Sequence, residues 1–222
     1  MPTSFQLRAR EAFEEVRSTD EFTVEKYEIE SDRDRTLTED DAKLIRRYLG
    51  PAAVDEVGDH LLDAEQIHLS WRTADYRVYG EFALKDLRTC LSGGYMPYTD
   101  ERLTPEEQLV MDEIKTLEEA PGSGRLTALR VPMDMSPCHE IWFYDMNQQR
   151  FVLLDLNYSS YVDTLLITKG IPGWQYLYSD TRLDHEEFRQ LARQLEISLD
   201  VLEDVFPGHD YTDLRARLEA RL

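Results

Sequence analysis

Ile67-His68-Leu69-Ser70-Trp71-Arg72-Thr73-Ala74-Asp75-Tyr76-Arg77-Val78-Tyr79-Gly80-Glu81-Phe82 holds two short runs in which apolar and polar residues alternate. Ile67, Leu69 and Trp71 form the first run, Tyr76, Val78, Gly80 and Phe82 the second, and Thr73-Ala74-Asp75 between them has the composition of a turn. A period of two puts alternate side chains on one face of a strand, so this stretch predicts an antiparallel hairpin. Three more strand-like runs follow: Leu126 to Val131, Glu140 to Tyr144 and Phe151 to Leu156, with Asn147-Gln148-Gln149 where a hairpin loop belongs. Gly173 to Tyr178 also has strand character. Trp71, Trp142 and Trp174 are then all expected on strands, packing the sheet.

On either side of these strands the period lengthens to that of a helix. Phe5 to Arg17 reads as a first helix, and Glu30-Ser31-Asp32-Arg33-Asp34-Arg35, with no apolar residue, as an exposed connection. Thr38, followed by Glu39-Asp40-Asp41 and the stripe Leu44, Ile45, Tyr48 and Leu49, has the N-cap and acidic first turn of a helix that Gly50-Pro51 ends. A shorter helix weakened by Gly58 is expected over Ala52 to Leu62, and another over Leu84 to Leu91, closed by Gly93-Gly94. Thr104-Pro105-Glu106-Glu107 opens a helix with apolar face Val110, Ile114 and Leu117. Tyr158, Tyr161, Val162, Leu165 and Leu166 define one ending at Gly170. Asp184, with Glu187 three residues on, is expected to cap a long helix striped by Phe188, Leu191, Leu195, Leu199, Leu202 and Phe206, before Pro207-Gly208 turns into a last short helix. The order of helices, strands and helices predicts a single α+β domain over 1-222, a mainly antiparallel sheet layered with helices. Its expected parts are a helical N-terminal part at 1-62, a sheet-containing core at 65-180 and C-terminal helices at 184-222.

A chain of 222 residues with 41% hydrophobic residues can fill one sizeable core. Its 25 basic and 45 acidic residues leave a formal charge of −20, which disfavours direct contact with nucleic-acid phosphates or anionic lipid. The first 120 residues hold 15 basic and 29 acidic residues, so most of the excess lies early. No apolar stretch approaches the ~20 residues of a membrane helix. The N-terminal residues lack the basic head and apolar run of a signal peptide. With Cys90 and Cys138 read as ordinary reduced thiols, a cytoplasmic protein is expected.

The chain has no Gly-x-Gly-x-x-Gly, no phosphate loop and no Gly-x-Ser-x-Gly elbow. His60, His68, His139, His185 and His209 offer no i, i+4 pair for zinc, and adjacent Cys138-His139 point apart on a strand. No catalytic residue, cofactor or metal ligand is therefore expected. Acidic residues concentrate between Asp100 and Glu119, eight of them against Arg102 and Lys115. On one long helix they flank the Val110, Ile114 and Leu117 stripe, making either a solvated face or a landing surface for a basic protein. The candidate partner-binding residues are Glu101, Glu106, Glu107, Asp112, Glu113, Glu118 and Glu119.

Read in order, Tyr79-Gly80-Glu81-Phe82-Ala83-Leu84, Ile141-Trp142-Phe143-Tyr144-Asp145 and Leu153-Leu154-Asp155-Leu156 resemble bacterial members of the SUKH superfamily, the Smi/Knr-type domain. Tyr161-Val162-Asp163-Thr164-Leu165-Leu166-Ile167-Thr168-Lys169-Gly170 and Gly173-Trp174-Gln175-Tyr176-Leu177-Tyr178 extend the likeness over residues 65 to 180. The resemblance implies an α+β fold and an immunity protein that binds and neutralises a polymorphic toxin; it carries no catalytic triad or metal set to transfer. A basic toxin domain is the expected partner. The alternatives are an enzyme with a pocket of dispersed Trp, Tyr, Asp and His residues, and a DNA-mimicking inhibitor of a defence system.

Overall fold

A computed structural model describes residues 4–32, 37–96 and 101–222. The connection expected at Glu30 to Arg35 lies partly outside them, as does Asp100. The described elements are α1 (Ser4–Ser18), β1 (Phe22–Asp32), α2 (Glu39–Leu49), α3 (Ala53–Gly58), β2 (Ala64–Thr73), β3 (Tyr79–Lys85), α4 (Leu87–Ser92), α5 (Pro105–Met111), β4 (Ile114–Ala120), β5 (Arg125–Arg130), β6 (Ile141–Asp145), β7 (Arg150–Leu154), α6 (Tyr158–Thr168), α7 (Arg189–Val205) and α8 (Thr212–Arg221). The α+β class is as expected. The seven strands form one sheet in chain order, every neighbouring pair antiparallel.

Local chemistry starts several of these elements where the sequence indicates. Thr38 and Thr104 both build capping boxes, with Asp41 and Glu107 reaching back to the cap backbone. Each box satisfies donors that a helix N-terminus otherwise leaves bare. In the hairpin, Leu69 pairs with Phe82 and Trp71 with Gly80, the register the alternation demands.

Four expectations are corrected. The N-terminal part is not wholly helical: Phe22–Asp32 is an edge strand paired with all of β2. The helix opened at Thr104 stops at Met111, and Ile114–Ala120 continues as strand β4. Trp174–Tyr178 is a 3-10 helix rather than a strand, and all five of its residues are buried. Asp184 does not cap the long helix; it pairs with Arg182, and a short 3-10 turn at Glu186–Phe188 leads into α7.

One main apolar cluster runs from Phe5 in α1 to Leu218 in α8 and lies on one face of the sheet, under α1, α6 and α7. The Leu191, Leu195, Leu199 and Leu202 stripe of α7 is buried within it. A smaller cluster of Val110, Met111, Ile114, Ala128, Tyr144 and Phe151 covers the opposite face of β4 to β7 beneath α5. The sheet narrows at its middle, where β3 and β4 pair only through Ala83 with Glu119 and Leu84 with Glu118. The loop after α6 fills the fork: the Glu81 amide donates to the Gly170 carbonyl at 3.0 Å. Gly80 allows that approach, since a Cβ there would sit 2.4 Å from the Lys169 carbonyl oxygen.

Candidate functional site

The acidic segment does not form one face. Glu101, Glu106 and Asp112 are exposed, and Glu107 is half-buried as the capping-box residue of α5. Glu113 is buried; its carboxylate accepts from Arg130 Nε and from the Met133 amide, both at 2.9 Å. Glu118 is buried on the core side of the sheet, while Glu119 is half-buried on the other. A landing surface on a single helix is therefore ruled out for Glu113 and Glu118. The cause is the change from helix to strand at Asp112, followed by a register shift between Thr116 and Glu118. A bulge sends two consecutive side chains to one side, and here Leu117 and Glu118 both enter the core.

Glu118 is the most perturbed carboxyl at a structurally special place. The Tyr161 hydroxyl of α6 lies 2.9 Å from Glu118 Oε2 and 2.8 Å from Thr127 Oγ1. Burial pushes its pKa up to about 8, only partly countered by hydrogen bonds from Tyr161 and Thr127, and Glu119 and Glu81 push the same way. It lines a cavity of about 30 Å³ beside Gln175, Arg125 and the 170–173 loop. Space of that size suits one water molecule rather than a substrate. The group is a neutral polar pin between β4, β5 and α6.

Other inward ionisable groups are likewise taken up by neighbours. Asp86 accepts from the Leu62 and Arg88 amides and from Arg88 Nε at 2.9, 3.0 and 2.7 Å. Asp145 holds Arg125 and the turn amides of Asn147 and Gln148. Lys115 Nζ donates to the Leu91 and Gly93 carbonyls at the end of α4, between the rings of Tyr48 and Tyr95. Lys169, 1% exposed, reaches Glu15 of α1 at 2.7 Å, and His209 meets the same carboxylate oxygen at 2.8 Å. These pairs join elements distant in sequence.

A cavity of about 730 Å³ is an open groove at one end of the sheet. Its walls are the α1–β1 turn at 19–22, the hairpin turn at 73–78 and the C-terminal half of α7. Phe22 and Val78 form a buried floor, and the half-buried Ile197, Val201 and Val205 run along α7 at intervals of four. Asp20, Glu21, Asp75 and Asp204 stand at the rim with Arg77 as the basic residue. Asp75 is committed: Thr73 and Arg77 bond its carboxylate and lower its pKa to about 2. Asp20, Glu21 and Asp204 are exposed, and their carboxylates have no hydrogen-bond or ion-pair partner among the described residues. Beside them Tyr76 holds a positive φ of 61°, 67% exposed, with the Arg72 guanidinium 3.7 Å from its ring centre. Bulky residues rarely adopt that backbone region.

Sequence reasoning missed this site because its three walls are spread over some 180 residues of chain and share no motif. The signal available was the i, i+4, i+8 spacing of Ile197, Val201 and Val205, a second apolar row on α7 beyond the buried leucine stripe. Among the described residues no group of three or more His, Cys, Asp or Glu is placed to hold a metal ion, and no helix is long and apolar enough to cross a membrane. Comparison with protein-family models, curated proteins and solved structures finds no match.

Proposed function

We propose that this chain is an acidic, cytoplasmic, non-catalytic binding protein of the SUKH immunity type, which neutralises a basic toxin domain by binding it. The observation that supports this reading is how the charge is divided. Inward ionisable groups such as Asp86, Asp145, Glu113 and Lys115 are consumed in holding elements together, whereas carboxylates such as Asp20, Glu21 and Asp204, with no partner among the described residues, stand outside. Buried charge spent in this way stabilises a fold. Unpaired surface charge attracts a partner of opposite sign and speeds encounter.

The test begins with the neighbouring genes, among which one encoding a toxin effector domain is expected, and proceeds to co-expression of that domain with this chain in a bacterial host. Rescue of growth, together with a stoichiometric complex after purification, is the expected result. Unrelieved toxicity with both proteins soluble and no complex between them would overturn the reading.

A further inference from the structure

We propose that the groove between the hairpin turn at 73–78 and α7 is the docking surface for a basic segment of a protein partner, one that lays lysine or arginine stems on the apolar floor and places their charged heads at the rim. This rests on the binding-protein reading above and adds the location and the chemistry of the occupant.

Two independent features of one surface carry it. Ile197 and Val201 are half-buried and line the groove together with the buried Val78, so it offers apolar contact. Asp20, Glu21 and Asp204 line the same groove, their carboxylates without a partner among the described residues. Long basic side chains match both, because their methylene stems bury against apolar surface while the charged head stays wet. An acidic or purely apolar segment gains only one half of the surface and loses on the other. The walls are held in place: Gln194 Nε2 of α7 donates to the Arg77 carbonyl of the hairpin turn at 2.7 Å. Docking into a fixed groove loses less conformational entropy than closing a loose one. Tyr76, exposed with the Arg72 guanidinium over its ring, belongs to the same 73–78 turn.

Exposed Glu106 in α5 and Asp112 just after it are the natural control, since they are surface acids away from the groove. The first probe is a capped peptide of alternating lysine and valine, with a glutamate-valine peptide as its counterpart, titrated into the full ¹⁵N-labelled chain. Saturable shifts centred on the amides of 19–22, 73–78 and 197–205, seen with the lysine peptide only, are expected. Affinity should fall about tenfold or more in Asp20→Lys/Glu21→Lys/Asp204→Lys and stay within about twofold of wild type in Glu106→Lys/Asp112→Lys. Shifts centred elsewhere, equal binding of both peptides, or equal losses in the two variants overturn the proposal. Unchanged thermal unfolding and amide spectra of the variants separate lost binding from lost folding. In the co-expression assay, rescue by wild type and equally by the groove variant overturns the groove while leaving the binding-protein reading intact. Failure of wild type to bind the effector, with the lysine peptide still seated in the groove, overturns the immunity reading and supports the docking surface.

Discussion

Replacing Glu118 by Gln should stabilise the protein at neutral pH, by an amount that depends on pH in a defined way. In the unfolded chain this carboxyl titrates at its ordinary value of 4.5; in the fold, burial raises it to about 8. The folded state therefore holds a proton that the unfolded state releases between those values. Stability loses about 1.4 kcal/mol for each pH unit from 4.5 upward and stops falling above about 8. At pH 7 the loss is about 3 kcal/mol. Glutamine has nearly the shape of the protonated acid, with one acceptor and one donor end, so it keeps the contact with the Tyr161 hydroxyl without titrating. Urea unfolding of both proteins between pH 4.5 and 8.5, followed by tryptophan fluorescence, isolates the effect, because all other titrating groups cancel in the difference. The two should differ least at pH 4.5, with Glu118→Gln gaining about 3 kcal/mol relative to wild type by pH 7. A pH-independent difference would show that Glu118 is ionised in the fold, and the account of a neutral pin would fail.

Leu195→Ala, at a position with no solvent exposure in the main cluster, should cost about 2 to 5 kcal/mol, read as a lower denaturant midpoint with unchanged slope. Thr104→Ala removes one half of the α5 capping box and should cost about 1 kcal/mol in the same assay. Thiol titration of the native protein should find one cysteine, the half-buried Cys138, slowed because burial raises its pKa, and a second only after unfolding, since Cys90 is buried with its pKa pushed up to about 12. Gly80→Ala should destabilise by about 1 to 3 kcal/mol, because its Cβ would meet the Lys169 carbonyl and the Trp71 ring.

Where the sequence was legible, one local signal sufficed. The capping boxes at Thr38 and Thr104, the alternation through Trp71 and Phe82 and the Leu195 stripe each belong to one element and need no knowledge of its neighbours. Strand β1 was hidden because a register shift between Val24 and Lys26 breaks its alternation and its outer positions are charged. Val110, Ile114 and Leu117 fit a helical period by coincidence, since a bulge rather than a turn of helix brings Leu117 inward. Trp174 to Tyr178 combines aromatic composition with burial on every side, so no polar face betrays the 3-10 helix. The candidate groove is a matter of tertiary assembly: its acids resemble any other surface acids until α7 and the hairpin turn come together.

The central claim, that surface carboxylates recruit a basic protein partner, is tested most directly by the association kinetics of this chain with the toxin effector domain expected among its neighbouring genes. Stopped-flow mixing between 0.05 and 1 M salt spans Debye lengths from more than about 10 Å down to about 3 Å. The account predicts an association rate that falls steeply over this range while dissociation changes little, with the fall reduced in Asp20→Lys/Glu21→Lys/Asp204→Lys. A tight complex whose association rate is indifferent to both salt and the triple substitution would contradict it.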